Sequence, residues 1–140
     1  MTSAIDNAIA RLQDIVQSCT DVDINNAPDY PIEDATALPL SIAHITGGQG
    51  TGNNASTVQL DLSLSVDVHF ARVNIKKAYQ DINLIIPEFL RRLGGDPTLN
   101  GTVDTIQFPV LVAVSPAQWD TVITQMVSFT VLIKAFEAPI

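Results

Sequence analysis

A chain of 140 residues is the length of one domain and can bury a hydrophobic core without disulfide or metal staples. Its composition, 46% apolar and 16% charged, excludes a disordered chain, and no apolar run approaches the roughly 20 residues of a membrane span. Fifteen acidic against seven basic residues leave a net charge of −8, which argues against nucleic-acid binding. The start, Met1 to Asp6, has neither the basic nor the apolar part of a secretory signal. The single cysteine, Cys19, cannot close an intrachain disulfide and reads as a small buried apolar group of a chain made in a reducing cytosol.

In chain order, Ile5, Ala8, Ile9, Leu12, Ile15 and Val16 recur at helical spacing and predict an amphipathic helix from Ser3 to Ser18, with Ser3 and Asp6 as a weak capping pattern. Residues 19–37 collect Asp, Asn and Pro without a period and predict an exposed acidic loop. Leu38 to Thr46 predicts a first strand, with Pro39 suiting a strand start or an edge. The tract Gly47 to Ser56, with Gly47, Gly48, Gly50, Gly52, Asn53 and Asn54, predicts a flexible hairpin loop, disordered in a free subunit and ordered on contact with a partner. It lacks the Gly-Lys-Ser/Thr ending of a phosphate-binding loop and opens no helix.

Val58, Leu60, Leu62, Leu64, Val66, Val68 and Phe70 then alternate with polar residues without a break, the pattern of one long strand with a buried and a wet face. At about 3.3 Å per residue it reaches about 40 Å, so part of it is expected to project beyond the domain body. Asn74 caps a second helix with apolar positions from Ala78 to Leu93 and a stop at Gly94-Gly95; Pro87 inside it predicts a kink or a division in two. Thr102 to Val114 is extended, with Pro109 marking an edge or bulge; Ser115-Pro116 predicts a turn, and Val122 to Ala138 alternates again. The order αββαββ predicts an α+β domain: a mostly antiparallel sheet of about four strands with two helices packed on one face.

Charge is unevenly distributed. Residues 1–71 hold one cation, Arg11, against nine carboxylates, whereas residues 72–140 hold six of each sign. Arg72, Lys76, Lys77, Arg91 and Arg92 fall in one segment. They read as an ordinary solvated helix face, or as a subunit contact that meets the acidic half of a neighbouring copy.

Little in the sequence points to reaction chemistry. Asp61, Asp67 and His69 share the wet face of the long strand, where a polar or interface-facing surface is a simpler reading than a metal site. His44 reads as a half-buried, hydrogen-bonded histidine, and Trp119 and Tyr79 as packing or interface residues. With two histidines and no nucleophile elbow, no catalytic residues are assigned and no cofactor or metal is expected.

The succession of helix, acidic loop, short strand, glycine-rich loop, long strand, proline-containing helix and C-terminal hairpin, with Val66-Asp67-Val68-His69-Phe70-Ala71-Arg72 at its centre, resembles the tail terminator and tail-completion proteins of long-tailed bacteriophages. The resemblance covers nearly the whole chain. It implies a non-enzymatic virion protein, assembled in the host cytoplasm, that forms a six-fold ring on the head-proximal end of the tail tube. Such a ring stops tube polymerisation and joins the tail to the head. Its implied partners are further copies of itself, the tail tube protein and the head completion or connector protein, with DNA passing through the lumen without specific binding and no membrane involved. The subunit-interface candidates are Arg72, Lys76, Lys77, Arg91, Arg92, Asp61 and Asp67. A head-tail connector, a tail-tube subunit and a non-viral small binding module remain as alternatives.

Overall fold

Apolar side chains three and four residues apart wind the start of the chain into α1 (Ala4–Ser18), which buries Ala8, Ile9, Leu12, Ile15 and Val16. The computed structural model describes residues 4–22, 24, 27, 38–52, 58–119 and 122–137; the capping role expected of Ser3 lies outside them, as does most of the predicted acidic loop. The remaining elements are β1 (Leu40–Gly52), β2 (Val58–Ala71), α2 (Ile75–Gly94), β3 (Thr105–Trp119) and β4 (Val122–Glu137). The αββαββ order and the α+β class are as the sequence predicts.

All strand pairs are antiparallel, and the sheet order is β1-β2-β4-β3. The chain leaves β2, passes through α2 and places β3 on the far edge before β4 returns to the centre. The unbroken alternation of β2 puts Leu62, Leu64, Val66, Val68 and Phe70 on one face, level with Ile133, Val131, Phe129, Val127 and Gln125 of β4. α1 packs over β1 and β2, and α2 over β2 and β4, so the core lies between these helices and the inner strands. Phe89 of α2 and Phe129 of β4 meet at its centre, with ring centroids 4.5 Å apart and planes tilted by 43°.

Two local expectations are corrected, and for Pro87 one of two alternatives is removed. The tract from Gly47 to Gly52 is strand, not loop: it pairs residue by residue with Ser63 back to Val58 after a bulge between Ile45 and Gly47. β2 supplies the hydrogen-bonding partner that glycine's low strand preference leaves to be found. Gly47 and Gly48 bend the strand at φ +155° and +142°. At Gly48 an added Cβ would strike the Asp61 carbonyl oxygen and come within 2.6 Å of the Leu62 Cα, so only glycine fits. Thr46, displaced at the bulge, donates its hydroxyl to the Ser63 carbonyl at 3.0 Å. Asn53 and Asn54 of the same predicted loop lie outside the described residues.

Pro87 does not divide the second helix, which runs through it as one element. Ser115-Pro116 makes no turn either; β3 continues to Trp119, with Pro116 opposite Gln125. β3 is an edge strand, where a residue without an N–H is tolerated on the open side. Pro109, the other proline of β3, sits in the register shift between Gln107 and Leu111, as its edge-or-bulge signal predicts.

Polar side chains fasten the layers. Gln13 of α1 donates to the Ser41 carbonyl at 2.8 Å and accepts from the Ser41 hydroxyl at 2.7 Å, fully buried. Glu88 of α2 accepts the backbone N–H groups of Thr20 at 3.1 Å and Asp21 at 2.9 Å, tying the end of α1 to α2. After α2, Leu99, Asn100 and Gly101 stand in succession at positive φ. Asp96 holds this turn by accepting the Asn100 N–H at 2.8 Å while pairing with Arg11 of α1 at 2.8 Å.

Candidate functional site

The face of the sheet opposite the helices carries a connected polar cluster. Asp67 stands at its centre: Ser65 and Ser128 both donate to Oδ1 at 2.6 Å, and His44 Nε2 lies 2.9 Å from Oδ2. Burial works against the Asp67 carboxylate, but the hydroxyls of Ser128 and Ser65, followed by His44, hold it below the usual aspartate range. His69, two residues on, is buried with Nδ1 2.7 Å from the Thr124 hydroxyl; burial pushes it below the ordinary histidine value, with Asp67 opposing. Leu40 and Ile42 are also buried on this face, apart from the main core.

This constellation holds serine, histidine and aspartate without the geometry of a nucleophile. Both serines donate to the carboxylate itself and not to His44, whose Nδ1 faces the Ile45 carbonyl at 3.3 Å. Neither hydroxyl is therefore bonded to a histidine as in a Ser-His-Asp triad, and the carboxylate that accepts from both is held in its weakly basic, ionised form. Asp67 and His69, a pair weighed as metal ligands, take different partners, and among the described residues no three His, Cys, Asp or Glu side chains gather. Burial pushes the Cys19 thiol up to about 11, and it donates to the Ile15 carbonyl at 3.6 Å, the behaviour of a packing residue.

The five predicted cations do not form one patch. All are exposed, with Arg72, Lys76 and Lys77 at the start of α2 and Arg91 and Arg92 at its end. At about 1.5 Å per residue, Lys76 and Arg91 stand about 22 Å apart along the helix. Lys77 is paired with Asp81 at 3.1 Å, and Arg92 lies 3.5 Å from Glu88. The i, i+4 spacing of both pairs was readable in the sequence. Arg72, Lys76 and Arg91 have no ion-pair partner among the described residues. Of the two carboxylates named with them, Asp67 is already engaged inside the chain, while Asp61 is half-buried opposite Lys134 and accepts from Gln59 at 3.0 Å.

Periodicity did not reveal the surface that stands out. Leu111, Ile123 and Phe108 are 63%, 57% and 56% exposed, and Val112, Val114, Val122 and Leu132 are exposed beside them. These side chains lie on β3, at the edge of the sheet, and on its partner β4. Val112 and Val114 share the helix side with Phe129 and Val127, whereas Leu111 and Leu132 face the other way, so both sides of this edge are apolar. Of two surface depressions of about 300 and 260 Å³, the first, around Gly48, Asp61 and Leu132, borders this surface and the second lies around Pro39, Phe70 and Lys77. They reach at most the lower end of the volume that small-ligand pockets occupy. No protein-family model matches the chain, and no match to it is found among curated proteins.

Proposed function

We propose that this chain is a structural subunit that assembles with copies of itself into a ring on the end of a phage tail tube. There it stops the tube from growing and presents the surface to which the filled head attaches. The observation that carries this reading is the apolar edge of β3 and β4, exposed on both sides of the sheet. Large apolar side chains exposed along one hairpin suit a contact surface, and a ring covers them by repetition. The αββαββ order, which resembles the tail terminators, supports the same reading. The net charge of −8 suits a lumen through which DNA slides without sticking.

Addition of the purified protein to elongating tail tubes tests the capping role. Tubes are expected to stop at shorter lengths with a ring of new density at one end. Incorporation of the chain along the tube would indicate a tube subunit, and unaltered tube growth would refute the proposal.

The cations at the start of α2 have a place in the same scheme. In a Lys76→Glu, Lys77→Glu double variant, folding stability is expected to change by only about 0.5 kcal/mol, because both lysines are exposed and Lys77 meets Asp81 in a single i, i+4 pair. Ring formation is expected to weaken, and wild-type assembly to weaken in turn as salt shortens the screening length to about 3 Å at 1 M. Unchanged assembly at every salt concentration would make this helix end an ordinary solvated face.

A further inference from the structure

We infer that copies of the chain join edge to edge, β3 of one against β1 of the next, so that their four-stranded sheets merge into one closed antiparallel sheet. The inference rests on the ring proposed above and assigns the surface that builds it.

The first ground is the placement of charge. Natural sheets protect open edges with charged side chains, lysine above all. Here β1 and β3, the outermost strands, contain no Asp, Glu, Lys or Arg at all. The charges of the sheet stand on the inner strands instead, Asp61 and Asp67 on β2 and Lys134 and Glu137 on β4. Among the described residues, that arrangement leaves the runs Gly47–Gly52 and Leu111–Ser115 without a charged guard, and the prolines and bulges that interrupt the two edges lie at or beyond the ends of these runs.

The second ground is direction. Every neighbouring pair in β1-β2-β4-β3 is antiparallel, so β1 and β3 run in opposite senses. Another copy in the same orientation therefore brings β1 antiparallel to β3, and the alternation continues across the junction. The edges also suit one another in shape. Gly47 to Gly52 of β1 is exposed and nearly free of bulky side chains, and β3 offers Leu111 to Ser115 between the irregularity at Pro109 and the missing N–H of Pro116.

The third ground is stagger. Gln49 lies level with Asp61, Lys134 and Thr105, whereas Ala113 lies level with Ser128, Asp67 and Ile42. Asp61 and Asp67 are six residues apart on β2, so joining the two open runs shifts each copy by about 20 Å along the strands. A stagger of this kind tilts strands and lets a sheet close on itself.

Two variants separate this arrangement from others. Leu111→Lys with Ala113→Lys charges the β3 edge, and Gln49→Lys with Thr51→Lys charges the β1 edge; all four positions are exposed. Each variant alone is expected to keep the wild-type circular dichroism and melting temperature and to stay monomeric where the wild type forms rings. An equimolar mixture is expected to give one heterodimer and no ring, since only one intact β3 and one intact β1 remain to meet. A second pair, Ala113→Cys and Gln49→Cys, perturbs the fold least and is expected to cross-link when mixed but not when each is oxidised alone. If both lysine variants form rings like the wild type, edge pairing is overturned while the ring stands. If the β1-edge variant or the Ala113→Cys chain dimerises alone, the contact is a two-fold β3–β3 pairing and the inference is likewise overturned. Absence of rings from the wild type, with and without tubes, removes the proposed function and this inference together.

Discussion

Replacing Phe129 with alanine is expected to destabilise the fold by about 3–5 kcal/mol, a large share of the 5–15 kcal/mol that holds a typical domain together. Phe129 is fully buried on an inner strand, and its ring meets that of Phe89 across the sheet–helix boundary. Truncation removes the transfer free energy of the ring and leaves a cavity that sheet and helix are too constrained to close. Urea unfolding followed by circular dichroism measures the effect. A loss below about 1 kcal/mol would contradict the central position assigned to this ring.

The second large effect is expected at Glu88, the one carboxylate buried on the inner face of α2. Glu88→Ala leaves the N–H groups of Thr20 and Asp21 without their acceptor and is expected to cost about 1–3 kcal/mol. The same site shapes the response to acid. Burial alone would raise the Glu88 carboxyl, but the N–H groups of Asp21 and Thr20, with Arg92, hold it below the glutamate value of 4.5. A carboxylate whose folded pKa is depressed contributes its stability above the unfolded value and loses it as pH falls through the folded one. Asp67 and Asp96, lowered from 3.8, act in the same direction. His69, held below 6.5, adds an earlier loss: the unfolded chain takes up a proton near 6.5 that the buried ring resists, so stability declines below that pH. Melting temperature is therefore expected to fall from pH 6.5 downward and more steeply below 4.5. Glu88→Ala should flatten the lower part and leave the upper part unchanged. An identical acid profile for the variant would show that Glu88 is not linked to folding.

Much of the architecture was legible because it rests on period. The alternation from Val58 to Phe70 could only be a strand with one buried face, and the spacing of apolar residues in α1 and α2 fixed which sides of the helices pack. What local pattern could not show was pairing. Gly47 to Gly52 looks like a loop until β2 is placed beside it, and Pro116 looks like a break until β3 is placed on an edge. Strand order likewise depends on where α2 carries the chain. Gln13 and Glu88 sit on otherwise apolar helix faces, and their partners are 28 and 67 or 68 residues away in sequence. The candidate site was legible in a similarly divided way. The cations of α2 were found, but their separation to the two ends of the helix follows from its unbroken length through Pro87. The absence of charge from residues 105–119 is plain in the sequence; it acquires meaning only when β3 is known to be an edge.

The proposed function stands or falls with closure of a ring by copies of this chain. Light scattering with negative-stain imaging of the wild-type protein, alone at high concentration and mixed with purified tail tubes, tests it most directly. The expected result is a discrete ring, free or seated on tube ends, with a mass that is a whole multiple of 15.0 kDa. A monomer under both conditions, with bare tube ends, would contradict it.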